Sequence, residues 1–135
     1  IAKLGLEDCM ALKGVLDFET ELVPHVRREA DIFVCCHRQA DPSCTYLETY
    51  GCGAPIAGYR NAAFEGVRRR ANAGWSERMD DPARLADVIA RLDKIREEII
   101  AHAYAALAFA REHSFENTFE RRIAQLKELT VRANG

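Results

Sequence analysis

The feature that most constrains this chain is the apolar run Ile32-Phe33-Val34-Cys35-Cys36, opened by Asp31. It is too short for a helix and unbroken by polar residues, so it reads as a buried strand of a parallel sheet. The polar loop His37-Arg38-Gln39-Ala40 follows. Asp41 is then placed as an N-cap, with Pro42 at the first helical position, where a residue without an N–H loses nothing. A short helix is expected from about Pro42 to Tyr50. Gly51 and Gly53 supply a left-handed stop, Pro55 blocks continuation, and Ile56-Ala57-Gly58-Tyr59 reads as the next strand. The whole stretch, Ala30 to Tyr59, is a strand–loop–helix–strand unit with its polar loop at the carboxyl end of a strand. In open α/β sheets ligands bind at that edge.

The helix spacing adds chemistry. Asp41, Thr45 and Glu48 stand at i, i+4 and i+7, on one stripe. The first N–H groups of the helix, on Ser43, Cys44 and Thr45, face an anion with a favourable dipole behind them. Amides on phosphates and Glu48 on a ribose diol would together grip a nucleotide.

These residues also carry a family resemblance. Ala30-Asp31-Ile32-Phe33-Val34, then Leu47-Glu48, then Gly51-Cys52-Gly53-Ala54-Pro55-Ile56 resembles the donor-site segment of retaining family-4 glycosyltransferases, which have the GT-B fold. Upstream, Leu4 to Asp8 and Leu12 to Asp17 resemble the family's third-strand region. Downstream, Asp80 to Leu92 and His113 to Arg122 resemble its C-terminal helices. The ordered series spans nearly the whole chain.

The resemblance implies a Rossmann-like parallel sheet, part of a GT-B C-terminal domain, followed by two or three C-terminal helices. Residues 1–80 would form the α/β part and 81–135 the helical part of one partial domain. It implies a nucleotide-sugar donor, with UDP- and GDP-sugars foremost, and transfer with retention without a bound metal or other cofactor. The acceptor, a sugar or a lipid-linked sugar, would be bound through a further domain, and the protein would be cytoplasmic or peripheral at the inner face of a membrane. The donor-binding set is Glu48, Asp41, Pro42, Ser43, Cys44 and Thr45, with the backbone of Leu16 and Asp17 touching the base. No catalytic residue is assigned. The family usually has two glutamates separated by seven residues. Glu48 matches the second, but the first position falls on Ala40, with Asp41 beside it. Either Asp41 serves from one residue along or the sugar is held differently, so the donor sugar stays open.

Composition narrows the field. A chain of 135 residues, 48% hydrophobic and 30% charged, is sized for one globular domain. Its net charge of −2 argues against a general nucleic-acid binder. The five cysteines (Cys9, Cys35, Cys36, Cys44 and Cys52) read as reduced, buried thiols. A zinc site from Cys35, Cys36, His37 and Cys44 lacks C-x-x-C spacing, and a nucleophilic Cys44 ranks below the phosphate-loop reading.

Along the rest of the chain, Cys9 to Leu16 reads as a strand and Glu19 to Glu29 as an amphipathic helix with Pro24 in its first turn. Asn61 caps a helix to about Asn72, on which Arg68-Arg69-Arg70 reads as a solvated face. Trp75 marks a short last strand, as a core or edge aromatic. Asp81-Pro82 opens a helix with the stripe Leu85, Val88, Ile89 and Leu92. A further helix covers about Lys94 to Arg111, with Ile95, Ile99, Ala103, Ala106 and Phe109 inward. Ser114 caps the last, from Phe115 to about Val131. His25, His102 and His113 receive no chemical role.

Two other functions fit the same pattern. One is a GT-B nucleotide-sugar epimerase, and the other a non-catalytic interaction module built on the C-terminal helices. Because Ile1 rather than Met stands first, the chain is expected to be a fragment, inactive alone. In the doubly wound order, strands that should lie between Met10–Leu16 and Asp31–Cys36 are not in the sequence. The Met10–Leu16 strand is therefore expected to pair in a non-family way, or the chain to self-associate.

Overall fold

The structure, a computed structural model, describes residues 1–41 and 44–133. The chain enters through a 3-10 turn at Ala2–Leu4 and runs without regular structure from Met10 to Asp17. A π-helical turn, Phe18–Leu22, continues directly into α1 (Val23–Glu29). Its start is fixed reciprocally. Asp17 Oδ1 accepts from Thr20 N and Oγ1 at 2.9 and 2.6 Å, and the Asp17 N–H donates to Glu21 Oε2 at 2.8 Å. Pro24 has no N–H to return to the Thr20 carbonyl, so a regular α-helical ladder cannot run through this turn.

The remaining elements alternate as the sequence predicts: β1 (Phe33–Cys35), α2 (Cys44–Gly51), β2 (Ile56–Tyr59), α3 (Ala62–Ala71) and β3 (Trp75–Glu77). Then come α4 (Pro82–Lys94), α5 (Arg96–Glu112) and α6 (Phe115–Ala133). The sheet is parallel in the order β1–β2–β3, with Phe33 opposite Ile56, Cys35 opposite Gly58 and Tyr59 opposite Glu77. This is a mixed α/β chain, consistent with a Rossmann-like fold.

Successive residues of β2 point to opposite faces, and each face has its own core. Ile56 joins Tyr46 and Tyr50 of α2, Phe64 of α3, and Ala106 and Phe109 of α5 on one side. Ala57 and Tyr59 pack with Leu85 of α4 on the other. Tyr50 is fully buried because its hydroxyl donates to Ala73 O at 2.9 Å, and burial raises its pKa.

Local chemistry sets the boundaries. Asn61, Asp81 and Ser114 each accept a backbone N–H from the first turn of the helix they precede, those of Phe64, Arg84 and Asn117. The α2 stop comes from Gly53 alone. Its φ is 82°, and Gly53 N and Ala54 N donate back to Tyr50 O and Thr49 O, while Gly51 is the last helical residue. Gly58 lets β1 and β2 approach, since a Cβ there would sit 2.5 Å from Cys35 O.

Five expectations need correction. Met10–Leu16 is not a strand: it pairs with no described residue, and Val15 is fully exposed, because a lone strand has no ladder to offset its ordering cost. The Asp31–Cys36 strand shortens to Phe33–Cys35. Its described partner is β2 alone, which makes it an edge strand with Val34 44% exposed. Only Cys35 of the five thiols is buried; Cys9, Cys36 and Cys44 are exposed, because they fall in loops or on outer faces. Ile95 is exposed at the break between α4 and α5, where the chain leaves the helical spacing that would have turned it inward. Arg68 is not on a solvated face, since Glu65 draws it into the structure.

Candidate functional site

The carboxyl ends of the three strands open onto three loops. They are 36–41 after β1, Arg60-Asn61 after β2, and 78–81 after β3. Parallel strands bring these loops to one edge, where the polar residues excluded from the sheet collect. The loops are tied together. The buried Asn61 side chain accepts from Phe64 N at 2.8 Å and donates to His37 O at 3.1 Å and to the Tyr46 hydroxyl at 3.4 Å. Tyr46 itself is buried, and desolvation raises its pKa. Outside this tie, Arg38 pairs with Asp80 at 2.6 Å, both side chains exposed. Asp80 adopts the left-handed conformation, φ 59°, which aspartate tolerates better than most residues.

Behind the loops lies a second network. Glu65, in the first turn of α3, accepts from Arg68 Nε at 2.9 Å and Ser76 Oγ at 2.7 Å. Arg68 first, and Ser76 after it, holds the Glu65 carboxyl down at about 2. Farther from the edge, the Gly74 N–H donates to His102 Nδ1 at 2.9 Å, so that nitrogen carries no proton. The His102 ring lies 4.5 Å from Trp75, and burial lowers its pKa. Trp75 Nε1 donates to Glu98 Oε1 at 2.7 Å, and Arg91 and Trp75 hold the Glu98 carboxyl at about 2. Sequence reading missed both carboxylates. A local signal was present for Glu65 alone, because Arg68 stands at i+3; the partners of Glu98, Arg91 and Trp75, lie 7 and 23 residues away.

The sequence-predicted donor set is distributed over this surface. Asp41 lines a shallow depression of about 430 Å³ with Cys36, His37, Arg38 and Gln39. Cys44 and Glu48, on the outer face of α2, line a larger groove of about 930 Å³ that Leu107 and Arg111 of α5 and Phe119 of α6 complete. Thr45 is half-buried on the same helix. Pro42 and Ser43, and with them the expected cap and first amides of the helix, lie outside the described residues. Leu16 lines a small depression with Lys13, Thr20 and Arg28. Asp17 spends its carboxylate on capping Thr20, and those hydrogen bonds lower its pKa. Cys44 and Glu48 are thus brought together, while Asp41 opens onto the loop side and Leu16 and Asp17 belong to the start of α1.

The chain matches no protein-family model, no curated protein and no solved structure.

Proposed function

We propose that this chain supplies the donor-binding side of a retaining glycosyltransferase, which moves a sugar from a nucleotide diphosphate to an acceptor hydroxyl. The observation that carries the reading is the unit from Phe33 to Tyr59. Two parallel strands are in register, a loop rich in polar groups lies at their carboxyl edge, and α2 brings Glu48 to its outer face. Such an edge is where nucleotide ligands bind in α/β sheets. The same stretch bears the Leu47-Glu48 and Gly51-to-Ile56 residues of the glycosyltransferase resemblance. In this reading Glu48 takes the ribose diol, and the amides entering α2 take the diphosphate. The donor is a UDP- or GDP-sugar, the acceptor a sugar or lipid-linked sugar, and no metal is needed.

Calorimetric titration of the chain with UDP and with GDP tests this. One of them should bind saturably. Glu48→Gln should weaken it by about 1.5–3 kcal/mol, the range for hydrogen bonds to a charged group. A dissociation constant that stays within twofold would remove Glu48 from the site.

One observation favours a second reading, the interaction module. Phe115, Phe119, Ile123, Leu126 and Leu129 of α6 are all exposed. A contiguous apolar surface of this kind marks an interface. Sedimentation of the chain over a range of concentrations separates the two: a concentration-dependent dimer without nucleotide affinity would favour the module.

A further inference from the structure

We propose that α6 pairs antiparallel with α6 of a second copy of this chain, through the seam Phe119, Ile123, Leu126 and Thr130. This rests on the interaction-module reading above and names its partner. Every residue of α6 from Phe119 to Arg132 is exposed, so the described residues cover no side of this stretch. A helix of this length is marginal in water and draws its stability from burying an apolar face. Here Phe119, Ile123 and Leu126 are 42%, 49% and 63% exposed. Their spacing, four and then three, is that of successive d, a and d positions of a heptad. Thr130 takes the next a position. Its hydroxyl donates to Leu126 O at 2.9 Å, so the one polar side chain of the seam is satisfied within its own helix. The rest of the chain leaves the seam accessible. At its start Phe119 lines the groove of about 930 Å³ between α6, α5 and α2, which has room for the last turn of a partner helix.

The flanking charges select both the partner and its direction. Glu120 and Lys127 fall at the e positions beside the seam, and Phe115, Arg122 and Leu129 at the g positions. In an antiparallel pair a faces d, so Phe119 meets the partner's Thr130 and Ile123 meets the partner's Leu126. The e positions then face one another. Glu120 lies beside the partner's Lys127, and two-fold symmetry makes that pair twice. On the g flank the apolar stem of Arg122 lies along the partner's Leu129. A parallel pair would instead set g against e, with Arg122 beside the partner's Lys127 at both edges, like charge against like. Among the described residues neither Glu120 nor Lys127 forms an ion pair, so both are free to engage a partner. Arg121 is committed to its own chain, where Nη2 donates to Glu112 O at 2.7 Å. The stripe is thus complementary to itself, as an isologous interface requires.

Sedimentation equilibrium of the 135-residue chain, from about 1 µM to about 500 µM, reads the pairing. The chain should pass from monomer to dimer over this range. Leu126→Glu places a charge in the middle of the seam and should leave a monomer throughout. Leu126 is exposed in the single chain, so the thermal melt of a dilute sample should match that of the unaltered protein. The charge variants test direction without touching the apolar residues. Lys127→Glu and Glu120→Lys each set like charges together at two symmetric positions, and each should raise the dimer dissociation constant by roughly threefold to tenfold. The two substitutions combined restore opposite charges and should return the constant to within about twofold of the original. Tighter association in Lys127→Glu would mean a parallel pair and overturn the proposal, as would a double variant no better than either single one. A dimer that persists in Leu126→Glu is built on another face; the α6 pairing then fails while the module reading stands. A monomer at every concentration removes both.

Discussion

Two stretches of this chain carry the same local signal and meet different fates. Ile32 to Cys36 and Cys9 to Leu16 are both short apolar runs that read as strands. The first forms β1, paired with β2, and buries Cys35 beneath the α2 side of the sheet. The second remains irregular, with Met10, Leu12 and Val15 exposed. The difference lies in the availability of a partner. Parallel strands need a crossover, and α2 returns the chain to the edge of β1 about twenty residues on, as a βαβ unit requires. No described segment comes back to the Cys9–Leu16 run. Apolar patterning says that a segment will be a strand if it is paired, and pairing is a property of the whole sheet.

The comparison is sharpest when the same kind of cut is made in both runs. Ile56, which faces β1 across the ladder, is fully buried. Ile56→Ala should cost about 2–5 kcal/mol in chemical denaturation, the range for truncating a packed aliphatic side chain. Val15→Ala should stay within about 0.5 kcal/mol, as expected for a surface position. Comparable losses at the two sites would mean that the Cys9–Leu16 run is packed in solution after all.

Acid offers a second, smaller contrast. Each region has a carboxylate held below its ordinary pKa, Glu65 in the sheet unit and Asp17 at the start of α1. Glu65 is largely covered and held at about 2, against an ordinary 4.5. A depressed carboxylate stabilises the fold above its unfolded pKa, and that stability is lost as pH falls through the folded value. The window for Glu65 is therefore about pH 4.5 down to about 2, and the loss should be on the order of 1–3 kcal/mol. Glu65→Gln should reduce the slope there and leave the share of Glu98, which is also held at about 2 and titrates over the same window. His102 acts earlier and with the same sign. Its pKa is lowered by burial, so the neutral ring accepts the Gly74 N–H at pH 7, and stability falls as pH drops below its ordinary 6.5. Asp17 is fully exposed, and Asp17→Asn should leave the curve between pH 5 and pH 2 nearly unaltered, about the ordinary range for aspartate titration. An acid limb of unchanged depth in Glu65→Gln would reassign it to Glu98 and other groups.

The elements that sequence reading found are those whose signals are local. Asn61, Asp81-Pro82, Gly53 and Ser114 bound their helices as capping chemistry dictates, and the core stripe of α4 runs through Leu85 and Leu92. What it missed depends on contacts between distant segments. The exposure of Cys36 and Cys44 follows from where β1 and α2 turn outward, which no spacing records. The Glu65–Ser76 and Trp75–Glu98 bonds join different elements, so only the i+3 pair Glu65–Arg68 was legible, and nothing of the Glu98 network was. The same holds for the site. Cys44 and Glu48 share a groove because one helix carries both, whereas the place of Asp41 depends on how its loop is tied to Asn61 and Asp80.

The smallest effect tests that last tie. Arg38 and Asp80 join the loop after β1 to the loop after β3, a link between neighbouring parts of one edge that the Cys9–Leu16 run lacks. Both side chains are exposed, at 73% and 59%, so water and salt screen the pair and ordering two long side chains offsets part of the gain. Arg38→Ala should therefore cost only about 0.2–1 kcal/mol at low ionic strength, and the cost should vanish as salt is added. Asp80→Ala is a poorer probe, because it also changes a residue at positive φ and mixes backbone strain with the loss of charge. A double-mutant cycle with Asp80→Asn avoids that difficulty, since asparagine tolerates the left-handed conformation equally well. A coupling above about 2 kcal/mol, or one indifferent to salt, would show that the pair is shielded from solvent. The edge of the sheet would then be held by charge as firmly as by the buried amide of Asn61.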